Sequence, residues 1–314
     1  MNYKTVVVAI GGNSLIRDGQ EGNMQEQYEN AYITGKNIAK LVKKGYKTVV
    51  THGNGPQVGN ILSRVENTRN ISYDISLDYC GAMSQGQLGY LISNALEKSF
   101  IEEGLEPNLV SVVTRTVVDA NDSAFQNPTK PIGKFYNKQD AEVISERFGL
   151  IMKEDSGRGY RQVVASPLPV EILELKQIKT LIDAENTVIA CGGGGIPVVK
   201  NDGIISGIAA VIDKDMTSSL LASSLNADIL LISTGVANAY INFGKENQQS
   251  LGKITVEEAE KLVANKEFGS GSMLPKVLAA IKFVKNGGKR AVITTPELAA
   301  EAVENKEIGT HIIA

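Results

Sequence analysis

Residues 5–13 read TVVVAIGGN and residues 47–56 read KTVVTHGNGP, and both pass from a β-branched run into glycine and asparagine. Each run is the length of a buried strand, and the glycine that follows predicts a turn. Between the two runs, apolar residues recur at helical spacing from residue 28 to residue 42. A strand, a helix and a second strand in this order predict a βαβ unit and a mostly parallel sheet.

The same alternation continues along the rest of the chain. Further strands are expected at residues 109–113, 162–165, 187–190, 228–233 and, as the terminal strand, 290–294. Helices are expected near residues 88–96, 171–184 and 216–225. This regularity predicts an α/β fold, a three-layer α/β/α sandwich. The polar segment at about residues 119–159 interrupts the rhythm and predicts an insertion, a small protruding lid-like subdomain.

Composition excludes several classes of protein. The chain has 314 residues, 32 basic and 35 acidic side chains and 42% apolar residues. No charged block suggests a nucleic-acid or membrane partner, and no run approaches the roughly 18 apolar residues of a spanning helix. Two isolated cysteines indicate neither a disulfide framework nor a zinc site. We therefore expect a cytoplasmic protein, built as one two-lobed unit or as two domains.

The glycine-rich turns are the first candidate binding site. They follow strands that we expect to be neighbours, and ligands bind at the carboxyl ends of strands in open α/β sheets. Glycine lets backbone N–H groups approach an anion closely, and a following helix adds a favourable dipole. Each turn alone is more typical of a simple strand-to-helix connection, and the two turns together favour an anion site. A third glycine run, residues 192–195, fits either a hinge or a close approach to the backbone.

Standard nucleotide fingerprints are absent from the sequence. Neither G-x-x-x-x-G-K-[ST] nor a G-x-G-x-x-G after the first strand occurs, and the protein-kinase signatures are missing as well. The chain contains just two histidines, His52 and His311. A histidine base or a histidine metal cluster is therefore not expected.

Three lysines stand out because proline, glycine or a helix start constrains their surroundings: Lys130, Lys214 and Lys276. Phosphoryl transfer uses such parts, because lysines and backbone amides neutralise the charge on the transferred group. Asp215, beside Lys214, is the candidate organiser of the lysines and of Mg²⁺. Capping of the helix that starts there explains Asp215 equally well.

Seven segments, taken together, resemble the amino-acid kinase superfamily and, within it, the carbamate kinase family. In family order they are residues 9–13 (AIGGN), 52–59 (HGNGPQVG), 81–86 (GAMSQG), 127–133 (NPTKPIG), 192–199 (GGGGIPVV), 211–215 (VIDKD) and 271–277 (GSMLPKV). The resemblance implies reversible phosphoryl transfer between ATP plus carbamate and ADP plus carbamoyl phosphate. It implies use with Mg²⁺ and a physiological direction toward ATP, in the catabolism of arginine or of another source of carbamoyl phosphate.

The resemblance also implies an architecture. A single domain would span residues 1–314 on a mainly parallel sheet of about eight strands, and two copies would form a homodimer. Its N-terminal lobe, about residues 1–200, would bind carbamate and the phosphoryl group and carry the subdomain at 119–159. Its C-terminal lobe, about residues 201–314, would bind the nucleotide.

By the same matching, individual positions acquire expected roles. The carbamate and the phosphoryl group would contact Gly11, Gly12, Asn13, Gly53, Asn54 and Gly55. Lys130 would reach the phosphoryl group from the subdomain, Lys214 and Lys276 would bind nucleotide phosphates, and Asp215 would order the lysines and, indirectly, the metal. The adenine nucleotide would lie along Thr234, Gly235, Val236, Tyr240, Ser272 and Met273.

Two positions depart from the family pattern. Ala209 and Ala237 stand where many carbamate kinases carry an acidic residue. Two other functions therefore stay open: a related kinase of another small carboxylate, and a non-catalytic protein that binds nucleotide or carbamoyl phosphate.

Overall fold

A computed structural model of the protein describes residues 4–17, 19–68, 71–155, 157–269 and 272–314, without the side chain of Asn13. In these ranges the strands are β1 (Thr5–Ile10), β2 (Lys47–His52), β3 (Leu109–Ser111), β4 (Arg115–Val118), β5 (Lys130–Tyr136), β6 (Met152–Glu154), β7 (Tyr160–Val164), β8 (Pro169–Ile172), β9 (Thr187–Ile189), β10 (Ile196–Asn201), β11 (Ile204–Gly207), β12 (Ile229–Ser233), β13 (Tyr240–Ile241), β14 (Gln249–Ser250), β15 (Lys253–Thr255), β16 (Arg290–Thr294) and β17 (Thr310–Ile313). The α-helices are α1 (Met24–Lys43), α2 (Gly55–Asn67), α3 (Leu77–Glu102), α4 (Lys138–Phe148), α5 (Leu175–Asp183), α6 (Lys214–Ser224), α7 (Val256–Ala264), α8 (Met273–Lys285) and α9 (Ala299–Glu304).

Eight strands form the main sheet, in the order β15-β17-β16-β12-β1-β2-β9-β3. The strands from β16 to β3 run parallel, whereas β17 pairs antiparallel to β16. Ala9 stands opposite Thr51 in β2 and Ile232 in β12, so three strands end side by side. The predicted sheet of about eight mainly parallel strands is confirmed.

Helices cover both faces of this sheet. In β1, Val7 and Ala9 pack into a core with α5, α6, α7 and α8, whereas Val6 and Val8 pack into a second core with α1, α3 and α9. Successive strand residues point to opposite faces, so a strand covered on both sides is apolar at nearly every position. That requirement explains the unbroken run from residue 5 to residue 10 and completes the predicted three-layer sandwich.

The polar segment of the sequence forms a small folded unit. β5, β7 and β6 make an antiparallel sheet, and α4 lies between β5 and β6 in the chain. The strand expected near residues 162–165 belongs to this unit as β7, which corrects its predicted place in the main sheet. A separate four-stranded sheet has the order β11-β10-β4-β8, and its strands come before and after this unit in the sequence. Residue 200, the predicted boundary between the lobes, falls within strand β10 of this sheet. The division into lobes at that residue stays a prediction.

Other predicted elements require correction as well. β16 is not the terminal strand, because β17 follows it after α9, and Gly309, with a φ of +83°, lies directly before β17. The helix expected from residue 171 begins at Leu175, because Pro169–Ile172 pairs with β4. In the described part of the chain, no helix has the length and apolar character needed to cross a bilayer.

Candidate active site

The glycine turns after β1 and β2 lie side by side at the carboxyl edge of the sheet. A Cβ built on Gly53 would be 3.6 Å from the backbone nitrogen of Gly12 and 3.3 Å from Cδ of Lys214. One on Gly11 would be 2.6 Å from the carbonyl oxygen of Ser233, at the end of β12. The two turns are therefore in contact with each other, and both the backbone nitrogen of Gly12 and the side chain of Lys214 lie close to Gly53. The side chain of Asn13 lies outside the described residues.

The two turns lead into different structures. β2 leads through Asn54 directly into α2, as expected. After β1, however, Gly12–Ser14 forms a single 3₁₀ turn, and α1 begins at Met24. The expected α-helix dipole therefore operates after β2 but not directly after β1.

A lysine–aspartate–lysine cluster adjoins these turns. Lys214 and Asp215 open α6, and Lys276 lies in the first turn of α8. Nζ of Lys276 donates to Oδ2 of Asp215 at 3.1 Å, and Nζ of Lys214 donates to Oδ1 of the same carboxylate. The exposed side-chain fraction is 4% for Asp215, 10% for Lys214 and 14% for Lys276. One buried carboxylate thus holds two ammonium groups at a fixed spacing.

Electrostatics in this cluster favour the charged form of the carboxylate. Burial opposes its ionisation, but Lys214 and Lys276 outweigh burial and hold the pKa of Asp215 well below its usual range. Burial lowers the pKa of Lys214, and Asp215 opposes that effect. The cluster keeps a net positive charge in a place with little water, where an anionic ligand would be attracted strongly.

The third predicted lysine reaches α6 from the small subdomain. Lys130, the first residue of β5, donates through Nζ to Oδ2 of Asp213 at 2.6 Å. Oδ1 of Asp213 accepts from the backbone nitrogens of Asp215 at 2.9 Å and Met216 at 3.3 Å. Asp213 is therefore the N-cap of α6, and the capping interpretation of Asp215 is wrong. The sequence analysis missed Asp213, although an aspartate directly before a helix is the usual cap signal.

Asn54 is held by a second set of polar contacts. Its Nδ2 donates to Oγ of Ser84 at 2.7 Å, and the residue is buried. Gln85, the next residue of α3, donates to the carbonyl oxygens of Thr114 and Gly192. α3 therefore positions the asparagine that follows β2, a role that the sequence motif alone did not reveal.

The glycine run at residues 192–195 is a buried packing junction. Cβ atoms built there would fall 2.4 Å from Nε2 of His52, 2.1 Å from Nδ2 of Asn54, 2.5 Å from the carbonyl oxygen of Ile212 and 1.9 Å from Oγ1 of Thr116. The predicted close approach to this backbone is real, and the groups that approach are the protein's own.

The residues expected to hold the nucleotide follow β12 or begin α8. Thr234 directly follows β12 with its nitrogen donating to the carbonyl oxygen of Thr294, and the exposed Gly235 and half-buried Val236 continue the chain from it. Ser272 and Met273 start α8, and Met273 packs on the core that also holds Ile232. Tyr240 opens β13, with its ring centroid 6.0 Å from that of Phe243. The place of Tyr240 relative to the lysines stays a prediction.

Burial keeps His52 and the two cysteines, Cys80 and Cys191, in their neutral forms near pH 7. Burial lowers the pKa of His52 to about 4, so its ring is neutral near pH 7. Burial also raises the pKa of Cys191 far above its usual range, and Cys80 is buried too. A cavity of about 940 Å³ is lined by Leu62 and Glu66 of α2, Gln162 and Val164 of β7, and Ala209.

A model of the amino acid kinase family matches residues 4–295. The chain belongs to that family. It is 47% identical to the carbamate kinase of Pyrococcus horikoshii, over 98% of each chain. Among solved structures, carbamate kinase from Giardia lamblia bound to citric acid superposes with a TM-score of 0.94 at 45% identity, and the same enzyme bound to AMP-PNP with 0.90 at 45%. Each comparison covers 99% of both chains.

Membership of the amino acid kinase family confirms the predicted resemblance and the α/β fold. It also makes the chain a phosphotransferase. The relatives match along their whole length, so the similarity includes the subdomain and both ends of the sheet.

Proposed function

We propose that this phosphotransferase is a carbamate kinase, which interconverts ATP plus carbamate and ADP plus carbamoyl phosphate. The observation that carries the proposal is the buried Lys214–Asp215–Lys276 cluster beside Gly12 and Gly53. Full-length similarity to carbamate kinases at about 45% identity supports the choice of carbamate among small carboxylates.

The reaction needs charge neutralisation and positioning more than covalent chemistry. A carbamate oxygen attacks the γ-phosphorus of ATP, the bond to the β,γ-bridging oxygen breaks, and ADP leaves with that electron pair. Lys214 and Lys276 would neutralise the phosphate oxygens, and Lys130 would approach the transferred group from the subdomain. Asp215 would hold both α-helical lysines in place without contacting phosphate.

The acceptor side of the site would be formed by the two glycine turns. Carbamate and the phosphoryl oxygens would contact Gly11, Gly12, Asn13, Gly53, Asn54 and Gly55, with the side-chain amide of Asn54 as one of the donors. The adenine nucleotide would lie along Thr234, Gly235, Val236, Tyr240, Ser272 and Met273.

Mg²⁺ is the metal expected to accompany the nucleotide, because it shields phosphate charge. In the described ranges, no three His, Cys, Asp or Glu side chains form a group that could hold a metal. Both oxygens of Asp215 already accept from lysine ammonium groups. The carboxylate therefore does not fit the role of a direct ligand, and Mg²⁺ would bind to the oxygens of ATP or ADP and to water.

The net direction is inferred from the chemistry of the substrates. Carbamoyl phosphate is a mixed anhydride and transfers its phosphoryl group to ADP readily, so we assign the physiological flux to ATP formation. An enzyme of this kind would consume carbamoyl phosphate released by the catabolism of arginine or of a similar compound. Because ADP is a cytoplasmic metabolite, the enzyme would work in the cytoplasm.

A homodimer is part of the proposal. α3 exposes three large apolar side chains on its surface: Tyr79 (65%), Met83 (50%) and Tyr90 (72%). An exposed apolar patch of this kind is typical of a protein interface. Tyr90→Glu should shift the mass measured by light scattering from two chains to one, and an unchanged mass would argue against this face.

The function can be tested by following ATP formation from ADP with a panel of carbamoyl phosphate, acetyl phosphate and phosphorylated amino acids. Preference for carbamoyl phosphate supports the proposal. Preference for another acyl phosphate identifies a related kinase, and a kinase of an acidic amino acid would need a pocket with a cation for the second carboxylate. Nucleotide binding by calorimetry without turnover on any donor identifies a non-catalytic protein.

A further inference from the structure

We infer that Asp213 is a positioning residue that holds the subdomain lysine Lys130 at the start of α6. The positions of Lys130, Lys214 and Lys276 then all depend on this one helix. This inference rests on the proposed function, because it assigns Asp213 a task in the same site. The contacts that support it belong to two different units of the fold.

One carboxylate performs two separate tasks. Oδ1 accepts from two backbone nitrogens at the start of α6, at 2.9 and 3.3 Å, and so fixes the helix turn that carries Lys214 and Asp215. Oδ2 accepts from Nζ of Lys130 at 2.6 Å, across 83 residues of sequence. The geometry of the cap and the position of the lysine are therefore tied through a single rigid side chain.

The ion pair is the polar contact that joins β5 to the start of α6, and a second contact joins β5 to α2. Elsewhere, the backbone of β5 touches α2 at two glycines, where a Cβ on Gly59 would lie 2.0 Å from Cα of Gly133. Beside it, the buried Ile132 of β5 packs in an apolar cluster with Val58 and Ile61 of α2, so the middle of the strand is held by packing. Arg161 donates to the carbonyl oxygen of Gly133 from β7, within the subdomain. Of these contacts, the pair with Asp213 is the one that the Lys130 side chain itself makes.

The ion pair is also partly shielded from water. The exposed side-chain fraction is 29% for Lys130 and 21% for Asp213. Lysine has three donors, so an ammonium held by one carboxylate oxygen can still donate to a phosphate oxygen. Asp213 can therefore orient Lys130 during the reaction rather than compete with the substrate for it.

Three substitutions separate the two tasks. Asp213→Asn keeps a carbonyl oxygen for the cap but removes the charge that holds Lys130. Asp213→Ala removes both functions. Glu257→Gln is the matched control, because it neutralises an exposed pair with Lys261 of similar length, 2.8 Å, on α7.

Hydrogen exchange measures the anchor without any substrate. In Asp213→Asn, amides of residues 130–136 should exchange at least about threefold faster, whereas residues 214–218 should match the wild type. In Asp213→Ala both segments should exchange faster, and the control should change neither. Unchanged exchange at 130–136 in Asp213→Asn, or an equal rise in both segments, would overturn the inference.

Kinetics tests whether Asp213 acts through Lys130. We expect Asp213→Asn to lower kcat/KM for carbamoyl phosphate about tenfold, because small displacements of a charged group are costly in such sites. In a Lys130→Met background the same substitution should change kcat/KM less than about twofold, since the pair no longer exists. Equal losses in both backgrounds would overturn the inference. If the wild type makes no ATP from carbamoyl phosphate, the proposed function fails, and hydrogen exchange still decides the anchor.

Discussion

Replacement of Asp215 by asparagine is expected to destabilise the protein strongly. The amide keeps the shape of the carboxylate but leaves two ammonium groups without a counter-charge, and both are nearly buried. At an effective dielectric constant of about 20, opposite charges 3.1 Å apart attract by about 5 kcal/mol. Part of this lost attraction is offset, because the neutral amide does not carry the desolvation cost of a buried ion. We therefore expect a loss of about 3 kcal/mol in the free energy of unfolding, within the range for broken buried pairs.

Urea unfolding of wild type and Asp215→Asn, followed by circular dichroism, measures this loss. A second variant, Asp215→Asn with Lys276→Met, removes the surplus ammonium and should recover part of the stability but none of the activity. Glu257→Gln serves as the control, because exposed pairs contribute about 1 kcal/mol or less. A loss below about 0.5 kcal/mol in Asp215→Asn would refute the assigned role of this carboxylate, since it would match an ordinary surface substitution.

Three further outcomes are expected. Lys276→Ala should lower kcat/KM at least ~10²-fold, the scale for removal of one donor to transition-state charge; near-normal turnover in a coupled ATP assay would exclude its role. Gly194→Ala should cost about 3 kcal/mol in urea unfolding, because φ is +88° and the new Cβ would lie 2.5 Å from the carbonyl oxygen of Ile212. Gly203→Ala, at a φ of +82° but with open space, should cost about 1 kcal/mol, and equal costs would contradict the packing argument. Burial lowers the pKa of His52 from 6.5 to about 4, so the unfolded chain takes up a proton before the folded one and the free energy of unfolding falls as the pH falls from 6.5 to 4. His52→Gln should show a shallower decline of this free energy, and parallel curves for the variant and the wild type would disprove the assignment.

Sequence patterns predicted the central part of the fold because each pattern there is local. A strand covered on both faces is apolar at most positions, and residues 6–10 show that directly. The glycines after β1 and β2 were recognisable for the same reason, since a close approach excludes side chains at the turn itself. The strand β17 was missed because it is short and enters the sheet antiparallel to its neighbour.

Contacts between distant residues could not be read from local patterns. Lys276 meets Asp215 across 61 residues, and Lys130 meets Asp213 across 83. Local sequence indicates that a lysine is constrained but does not indicate which carboxylate it faces. The role of Asp213 was within reach, because an aspartate directly before a helix predicts a cap, and the structure adds its second partner.

The most direct test of the central claim is phosphorus NMR of carbamoyl phosphate, ADP and Mg²⁺ with the wild-type enzyme. We predict that the carbamoyl phosphate signal decreases while the γ-phosphate of ATP rises in equal amount, and that this transfer is lost in Lys276→Ala. Conversion of carbamoyl phosphate to inorganic phosphate alone, with no ATP signal above that of the enzyme-free sample, would contradict a carbamate kinase built on these lysines.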